Sequence, residues 1–403
     1  HLYLTSWGSG CRMKIRTLKP EEFDEHMKLS QYAFQIELSA EELEQARARA
    51  RCEEVIVGVE QERIVSQVRI IPLEVNWNGI VLKMGGISSV ASWPESRRSG
   101  HVGKLLRHAM EEMKANGQSI SMLAPFSIGF YRKYGWELFI DRVKYTLATD
   151  KLPQRMQNNG KVERIQVRDH AELLGILYQT YSESFNGTLA RTADWWEHSV
   201  FKRKKGDAVL YRSQNGTPEG YALYKVKERR LDIHELVYLT EEARVGLWNF
   251  FSNHDSMIDS AVLHTYSGDP LPYQLNDPRI EQSIHPYFMV RIVDVQSLVK
   301  QLSFQPGVRD QFVLQIHDED ASWNDGLWML DITEEGKGSL SRYQDGTSSK
   351  RLDLSIGTLA ALLIGYKRAR DLQQMDHISG PRSEAVRLGS RIPEAMTNFM
   401  DFF

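Results

Sequence analysis

Apolar positions along residues 13–150 switch repeatedly between strand-like and helix-like spacing, the pattern of strands and helices interleaved in an α/β layer. Pro20 and Glu21 open a helix, and Leu38–Arg51 reads as another. The apolar runs Val55–Val59 and Ile64–Ile71, separated by Glu60, Gln61 and Glu62, predict an antiparallel hairpin, with Ile87–Ala91 as a third strand. Val102, Leu105, Leu106, Ala109, Met110 and Met113 recur at spacings of three and four, so they line one face of a helix. Ser119–Leu123 follows as a strand, Pro125 breaks it, and Ser127–Tyr134 forms a short helix ending at Gly135.

The polar stretch around Leu152–Gly160 marks a first boundary, and a second α/β unit over residues 151–286 follows it. Its helices are expected at Ala171–Phe185 and Glu241–Asn253, and its strands near Ala208–Tyr211 and Tyr221–Lys227. The proline-bearing loop Ser267–Pro286 then crosses to a third unit, residues 287–403. There the strand-like runs Tyr287–Val293, Gln311–Ile316, Gly326–Ile332 and Arg351–Ser355 alternate with helical Val295–Leu302 and Ile356–Ile364, predicting a smaller α+β domain. The expected fold is therefore two mixed α/β domains followed by an α+β domain.

Composition narrows the function classes. With 403 residues, 41% hydrophobic and 26% charged, the chain has the make-up of a multidomain soluble protein, and no run approaches the ~20 apolar residues of a membrane span. A formal net charge of −3 gives no global attraction to nucleic acid or anionic lipid, and the basic run Lys202–Lys205 reads as a solvated face. Cys11 and Cys52 cannot make a disulfide framework or a multi-cysteine metal site, which fits a reducing cytoplasm, and nothing marks Cys52 as an activated nucleophile. Residues 1–12 lack the regions of a signal peptide, and Met13 begins a plausible native start, so they are read as an appended remnant.

The chemistry concentrates in Val90-Ala91-Ser92-Trp93-Pro94-Glu95-Ser96-Arg97-Arg98-Ser99-Gly100-His101-Val102-Gly103, which runs from a strand through a turn into the amphipathic helix. Amides at a helix N-terminus lack intrahelical partners and face an incoming anion, and the helix dipole adds to the attraction. Gly100 and Gly103 permit close approach of the backbone, and Arg97 and Arg98 supply charge-assisted hydrogen bonds, a geometry suited to pyrophosphate. This stretch resembles the pyrophosphate motif of the GNAT acetyltransferase superfamily, Gln/Arg-x-x-Gly-x-Gly/Ala: Arg97 and Gly100 match it, and Val102 departs from it at the last position. Together with Phe130-Tyr131-Arg132-Lys133-Tyr134-Gly135-Trp136, the three-domain length and the terminal Phe403, it resembles the enhanced intracellular survival family of bacterial acetyltransferases.

That resemblance implies two GNAT-like domains followed by a sterol-carrier-like domain, acetyl-CoA as cosubstrate, and a homo-oligomer of up to six subunits. It implies Tyr131 as general acid and the free carboxylate of Phe403 as acceptor or orienter of the amine proton. It further implies that Val90–Gly103, with Phe126 and Ser127, binds the cofactor. A phenol with a reference pKa of about 10 is nearly matched to a thiol of about 8.5, so protonating the leaving sulfur is chemically balanced. The implied acceptors are amines of cationic small molecules, aminoglycosides foremost, a role tied to antibiotic resistance, with Phe34, Glu37 and Asp401 as candidate substrate contacts. Two other readings stand beside it: a lysine or peptide acetyltransferase using the same cofactor site, and a lipid carrier whose third domain lines a cavity with Trp323, Trp328, Leu359, Leu362 and Leu363. A third domain that only positions the C-terminus and builds subunit contacts is preferred over the carrier.

Overall fold

In a computed structural model the described residues are 13–403; the segment 1–12, with Cys11, lies outside them. The first unit begins with β1 (Lys14–Thr17), α1 (Phe23–Phe34) and α2 (Ala40–Ala48). It continues through β2 (Val55–Glu60), β3 (Arg63–Trp77), β4 (Ile80–Ser92), α3 (His101–Ala115), β5 (Ile120–Leu123), α4 (Ile128–Arg132) and β6 (Glu137–Leu138). The hairpin expected at Val55–Ile71 is present, but β3 and β4 run far past the predicted strands and are joined by Asn78 and Gly79, whose positive φ values of 48° and 75° suit a tight hairpin turn. That Asn-Gly pair was a legible turn signal. On α3, Leu105, Leu106, Ala109, Met110 and Met113 are all fully buried, as their spacing predicts. Each large side chain among them contributes about 1.5–3 kcal/mol of burial.

The boundaries expected at residues 150 and 286 are displaced, because the chain changes sheets earlier and returns later. The next strand, β7 (Asp141–Ala148), leaves the first unit and lies in a second seven-stranded sheet between Glu281–Pro286 and Ser260–Tyr266. Conversely, Met289–Ile292, expected to open the third unit, enters the first sheet between β5 and β6, giving the order β1-β2-β3-β4-β5-(Met289–Ile292)-β6. All four residues of that strand are buried, so it needs a partner on each edge and cover on each face. The stretch expected as a crossing loop thus carries the edge strand Glu281–Pro286 of the second sheet.

The third unit builds a five-stranded sheet in the order Gly338–Arg342, Gly326–Ile332, Asp310–His317, Leu352–Ser355 and Ile378–Ser379. Its helix Ile356–Ile364 is buried on every face and packs into one core with Met84, Ile120 and Met122 of the first sheet. Trp328, Leu359, Leu362 and Leu363 belong to that core, and the half-buried Trp323 donates its indole N–H to the Val293 carbonyl at 2.7 Å. These residues therefore pack as structural core. Two mixed α/β domains followed by an α+β domain is the architecture observed. Among the described residues no helix is long and apolar enough to cross a membrane.

Candidate functional site

The site begins where two parallel strands part. β4 and β5 pair from Met84↔Ile120 to Ile87↔Leu123, and β5 then turns away through Pro125. β4 continues to Ser92 held by β3, with a register shift opposite Ser88–Ala91 and Ser89 in the left-handed region at φ 54°. An extra residue of this kind twists a strand and re-aims its backbone, so β4 diverges from β5 at this point. Val90 is half-buried, while Ala91 and Ser92 are buried against Gln67 and Ser66 across the ladder.

At the end of β4 the turn Trp93–Gly100 delivers the chain to α3. Gly100 caps the helix at φ 73°, a conformation that favours glycine, and open space lies where a side chain would project. The first intrahelical bond is donated by the Lys104 N–H to the Gly100 carbonyl at 3.1 Å, which leaves the amides of His101, Val102 and Gly103 outside the helical ladder. Arg97, Arg98 and Ser99 are exposed beside them. Val102 is half-buried and packs on the core under α3, so its side chain points away from those amides.

At two positions of this turn the side chain serves the fold and only the backbone is left for a ligand. A Cβ on Gly103 would overlap the Tyr134 hydroxyl, so its missing side chain makes room for an aromatic neighbour. His101 turns inward, with Nε2 3.1 Å from Glu60 and Nδ1 buried without a partner, so only its backbone amide faces the turn.

Tyr131 sits on α4, whose N-terminus is capped by Ser127 Oγ accepting from the Phe130 N–H at 3.3 Å. Ser127 thus has a structural duty at the cap. Tyr131 is 2% exposed and packs with Ile87, Leu123 and Trp136 in the core beneath α3. Burial pushes its phenol well above the ordinary tyrosine range. Phe126 stands 68% exposed, with its ring centroid 5.1 Å from those of Phe130 and Tyr131. Behind this turn Arg291 is fully buried, bonds both Asp318 oxygens at 2.7 Å, and donates to the Tyr134 carbonyl at 3.1 Å. The third unit thereby braces the segment that carries Tyr131.

The C-terminal tail docks on the opposite face of the same sheet. A Cβ on Gly86 would lie 2.8 Å from Phe403 Cε2, so the strand glycine marks a close approach by the terminal ring. Phe288 stacks edge-on to Phe403 at 5.1 Å, and Trp195 flanks it at 6.4 Å. Hydrogen bonds to the tail's backbone hold it as well: the Asn398 N–H donates to the Asn186 carbonyl at 3.0 Å, and the Tyr287 hydroxyl donates to the Asp401 carbonyl at 2.8 Å.

Asp401 was expected to contact substrate. Instead its carboxylate is buried, accepting from Arg191 Nε at 3.0 and 3.1 Å and from the Trp195 indole at 2.9 Å. Arg191 also bonds Glu235 through both terminal nitrogens at 2.8 and 2.9 Å. Lys204, from the run expected to be solvated, reaches into this cluster, pairing with Glu235 and donating to the Met400 carbonyl at 2.6 Å. Burial alone would raise the Glu235 pKa, but the charges of Arg191 and Lys204 outweigh it and hold the carboxyl well below its usual range. Sequence reasoning missed this cluster; only the strand pair Gly85-Gly86 hinted that something approaches the sheet closely.

Two hollows adjoin the parting strands. One, of about 880 Å³, lies between the end of α1 and the turn, with Tyr32, Glu37, Trp93 and Arg97 in its walls. Phe34, 49% exposed, stands at the last position of α1 beside it. The other, of about 1220 Å³, ends at Phe402 and Phe403 and runs between β3, β4, the segment 48–54 and the turns of residues 192–203. Glu37 and Asp401 therefore do not converge into one acidic pocket.

Comparison with known proteins agrees with this architecture. Residues 14–139 match an acetyltransferase (GNAT) domain, residues 187–292 a second acetyltransferase (GNAT) domain, and residues 295–400 a sterol carrier protein domain. An uncharacterized N-acetyltransferase of Streptomyces coelicolor is 23% identical over 327 residues, covering 76% of this chain and 78% of that protein. A crystal structure from Enterococcus faecalis V583, a conserved protein of unknown function described as a probable N-acyltransferase, superposes with a TM-score of 0.90 at 29% identity, covering 97% of this chain and all of that one. Eis1 of Mycobacterium abscessus has the same fold, with a TM-score of 0.81 at 17% identity over 97% of this chain and 100% of that one.

Proposed function

We propose that this protein, an acetyltransferase of the GNAT type, moves the acetyl group of acetyl-CoA to a primary amine at the point where β4 and β5 part. The observation that carries the reading is that β4 and β5 part after Ile87↔Leu123, with the core that holds Tyr131 on one face and the Phe403 ring seated against Gly86 on the other. The residues of the turn fit the cofactor: the amides of His101, Val102 and Gly103, the open space over Gly100, and the guanidinium groups of Arg97 and Arg98 suit a pyrophosphate. The bared edge of β4 at Ser88–Ala91 suits an amide-bearing arm laid along it as a further strand would be, and the exposed Phe126 ring beside Tyr131 offers an apolar contact. When bound there, acetyl-CoA supplies an activated acetyl group as a thioester.

Tyr131 holds its proton at neutral pH, because burial disfavours the phenolate. It yields that proton only as negative charge builds on the leaving sulfur. The Phe403 carboxylate orients the acceptor ammonium and receives or relays the proton that the nitrogen must lose before it attacks. A carboxylate with a reference pKa near 3.5 is a weak base for an ammonium, so relay through water is the preferred form of this role. Aminoglycosides, and cationic amines generally, are the acceptors that the sequence resemblance implies. The acidic side chains near Phe403 lend them little support, since Asp401 is engaged internally and Glu54 and Asp194 are each paired with an arginine.

Thiol release from acetyl-CoA across a panel of amines tests the reading. Tyr131→Phe is expected to keep acetyl-CoA affinity and to lower turnover by about 10²-fold or more. A short tail appended after Phe403 is expected to do the same, because it converts the carboxylate to an amide. Wild-type turnover in both variants would dismiss the proposed chemistry.

A further inference from the structure

The hollow that ends at Phe403 has a definite charge. Glu54 in its wall is paired with Arg69 at 2.6 Å, and Asp194 faces Arg49 at 3.7 Å. Glu74 and Lys83 stand directly opposite each other on the β3–β4 ladder. With those pairs set aside, Arg51, Lys202 and Arg203 remain as the cations of a hollow that Phe402 and Phe403 close. Among the described residues these three cations make no ion pair. Arg203 is held at the mouth with its guanidinium carbon 4.8 Å from the centre of the Phe402 ring.

A site with this excess of positive charge repels a polycation and attracts an anion. It also lowers the pKa of an amine placed within it, which favours the neutral form that must attack the thioester. We propose that the acceptor is a small primary amine that carries its own carboxylate or phosphate, with Arg51, Lys202 and Arg203 holding the anion while the amine meets the Phe403 carboxylate. This rests on the transfer chemistry proposed above. The new amide bond forms between the acceptor nitrogen and the acetyl carbon as the bond from that carbon to sulfur breaks. Counted from the neutral amine, the nitrogen loses one proton toward Phe403 and the sulfur gains one from Tyr131, whose phenol is restored from water, so an N-acetylated anion and free thiol result; an acceptor that arrives as the ammonium sheds one further proton to water beforehand.

Matched pairs of acceptors test the class, using the full chain with saturating acetyl-CoA: β-alanine against β-alaninamide, phosphoethanolamine against ethanolamine, and kanamycin as the polycation. The anionic member of at least one pair is expected to exceed its neutral partner and kanamycin by about tenfold or more in kcat/KM, the scale of one charge-assisted hydrogen bond. Whichever pair shows the preference identifies the anion. Added salt and the neutral variants Lys202→Gln and Arg203→Gln should shrink the ratio, and Lys202→Glu with Arg203→Glu should invert it. The neutral variants keep the test valid should the charge reversal fail to fold. Preference for kanamycin or for the neutral amines, or a ratio unmoved in the variants, overturns the acceptor class and leaves the transfer chemistry standing. Binding of acetyl-CoA without thiol release for any of these amines overturns both.

Discussion

Arg191 and Asp401 meet across 210 positions of sequence, with Nε 3.0 Å from Oδ2 and neither side chain more than 2% exposed. This contact fixes the chain two residues before Phe403. The part proposed for Phe403 requires such an anchor, since an untethered segment frays.

Breaking that anchor from one side should be costly. Arg191→Met leaves Asp401 and Glu235 buried without their shared cation, and a loss of about 3–5 kcal/mol in urea unfolding is expected. A loss below about 1 kcal/mol would show that the cluster relaxes or takes up water.

Stability should also fall in acid. Glu235 has a folded pKa below its unfolded value, so its contribution is fully present above the ordinary glutamate pKa of about 4.3 and is lost progressively as pH falls below it toward the folded value. Urea midpoints measured from pH 7 downward should decline below that point more steeply in the wild type than in Glu235→Gln. Parallel profiles would remove Glu235 from the acid response.

Gly86→Ala isolates the seat of the terminal ring. The added carbon would come within 2.8 Å of Phe403 Cε2 and 3.0 Å of Leu73 Cδ1, so the terminal ring must shift from its seat. A fall of about tenfold or more in kcat is expected with acetyl-CoA affinity unchanged, the scale of a small misplacement of a reacting group. Unchanged kcat would mean that the tail readjusts without moving its carboxylate.

The two glycines of the turn should separate in their effects. Gly103→Ala drives a Cβ into the Tyr134 hydroxyl and should cost about 1–3 kcal/mol of stability, as overpacking does. Gly100→Glu meets open space but places a negative charge and a strained φ at the helix N-terminus, so weaker acetyl-CoA binding is its main expected effect. Calorimetric titration together with thermal unfolding distinguishes the two, and the reverse pattern would exchange their roles.

What the sequence determined by itself was local. The spacing of Leu105 to Met113 on α3, the turn through Gly100, and the short helix bearing Tyr131 each depend on neighbours a few residues away, so their patterns survive in one dimension. The exchange of β7 and Met289–Ile292 between sheets was not legible, because strand pairing is a choice among distant partners with similar apolar patterns. Asp401 read as a substrate contact and Lys204 as part of a solvated face for the same reason. Only the tertiary structure brings Arg191 and Glu235 to them, and only there can burial and pairing reverse the usual preference of a charge for water. The sign of the Phe403 hollow is likewise a tertiary property: it is what remains after Glu54, Asp194 and Glu74 face cations that the chain brings from elsewhere.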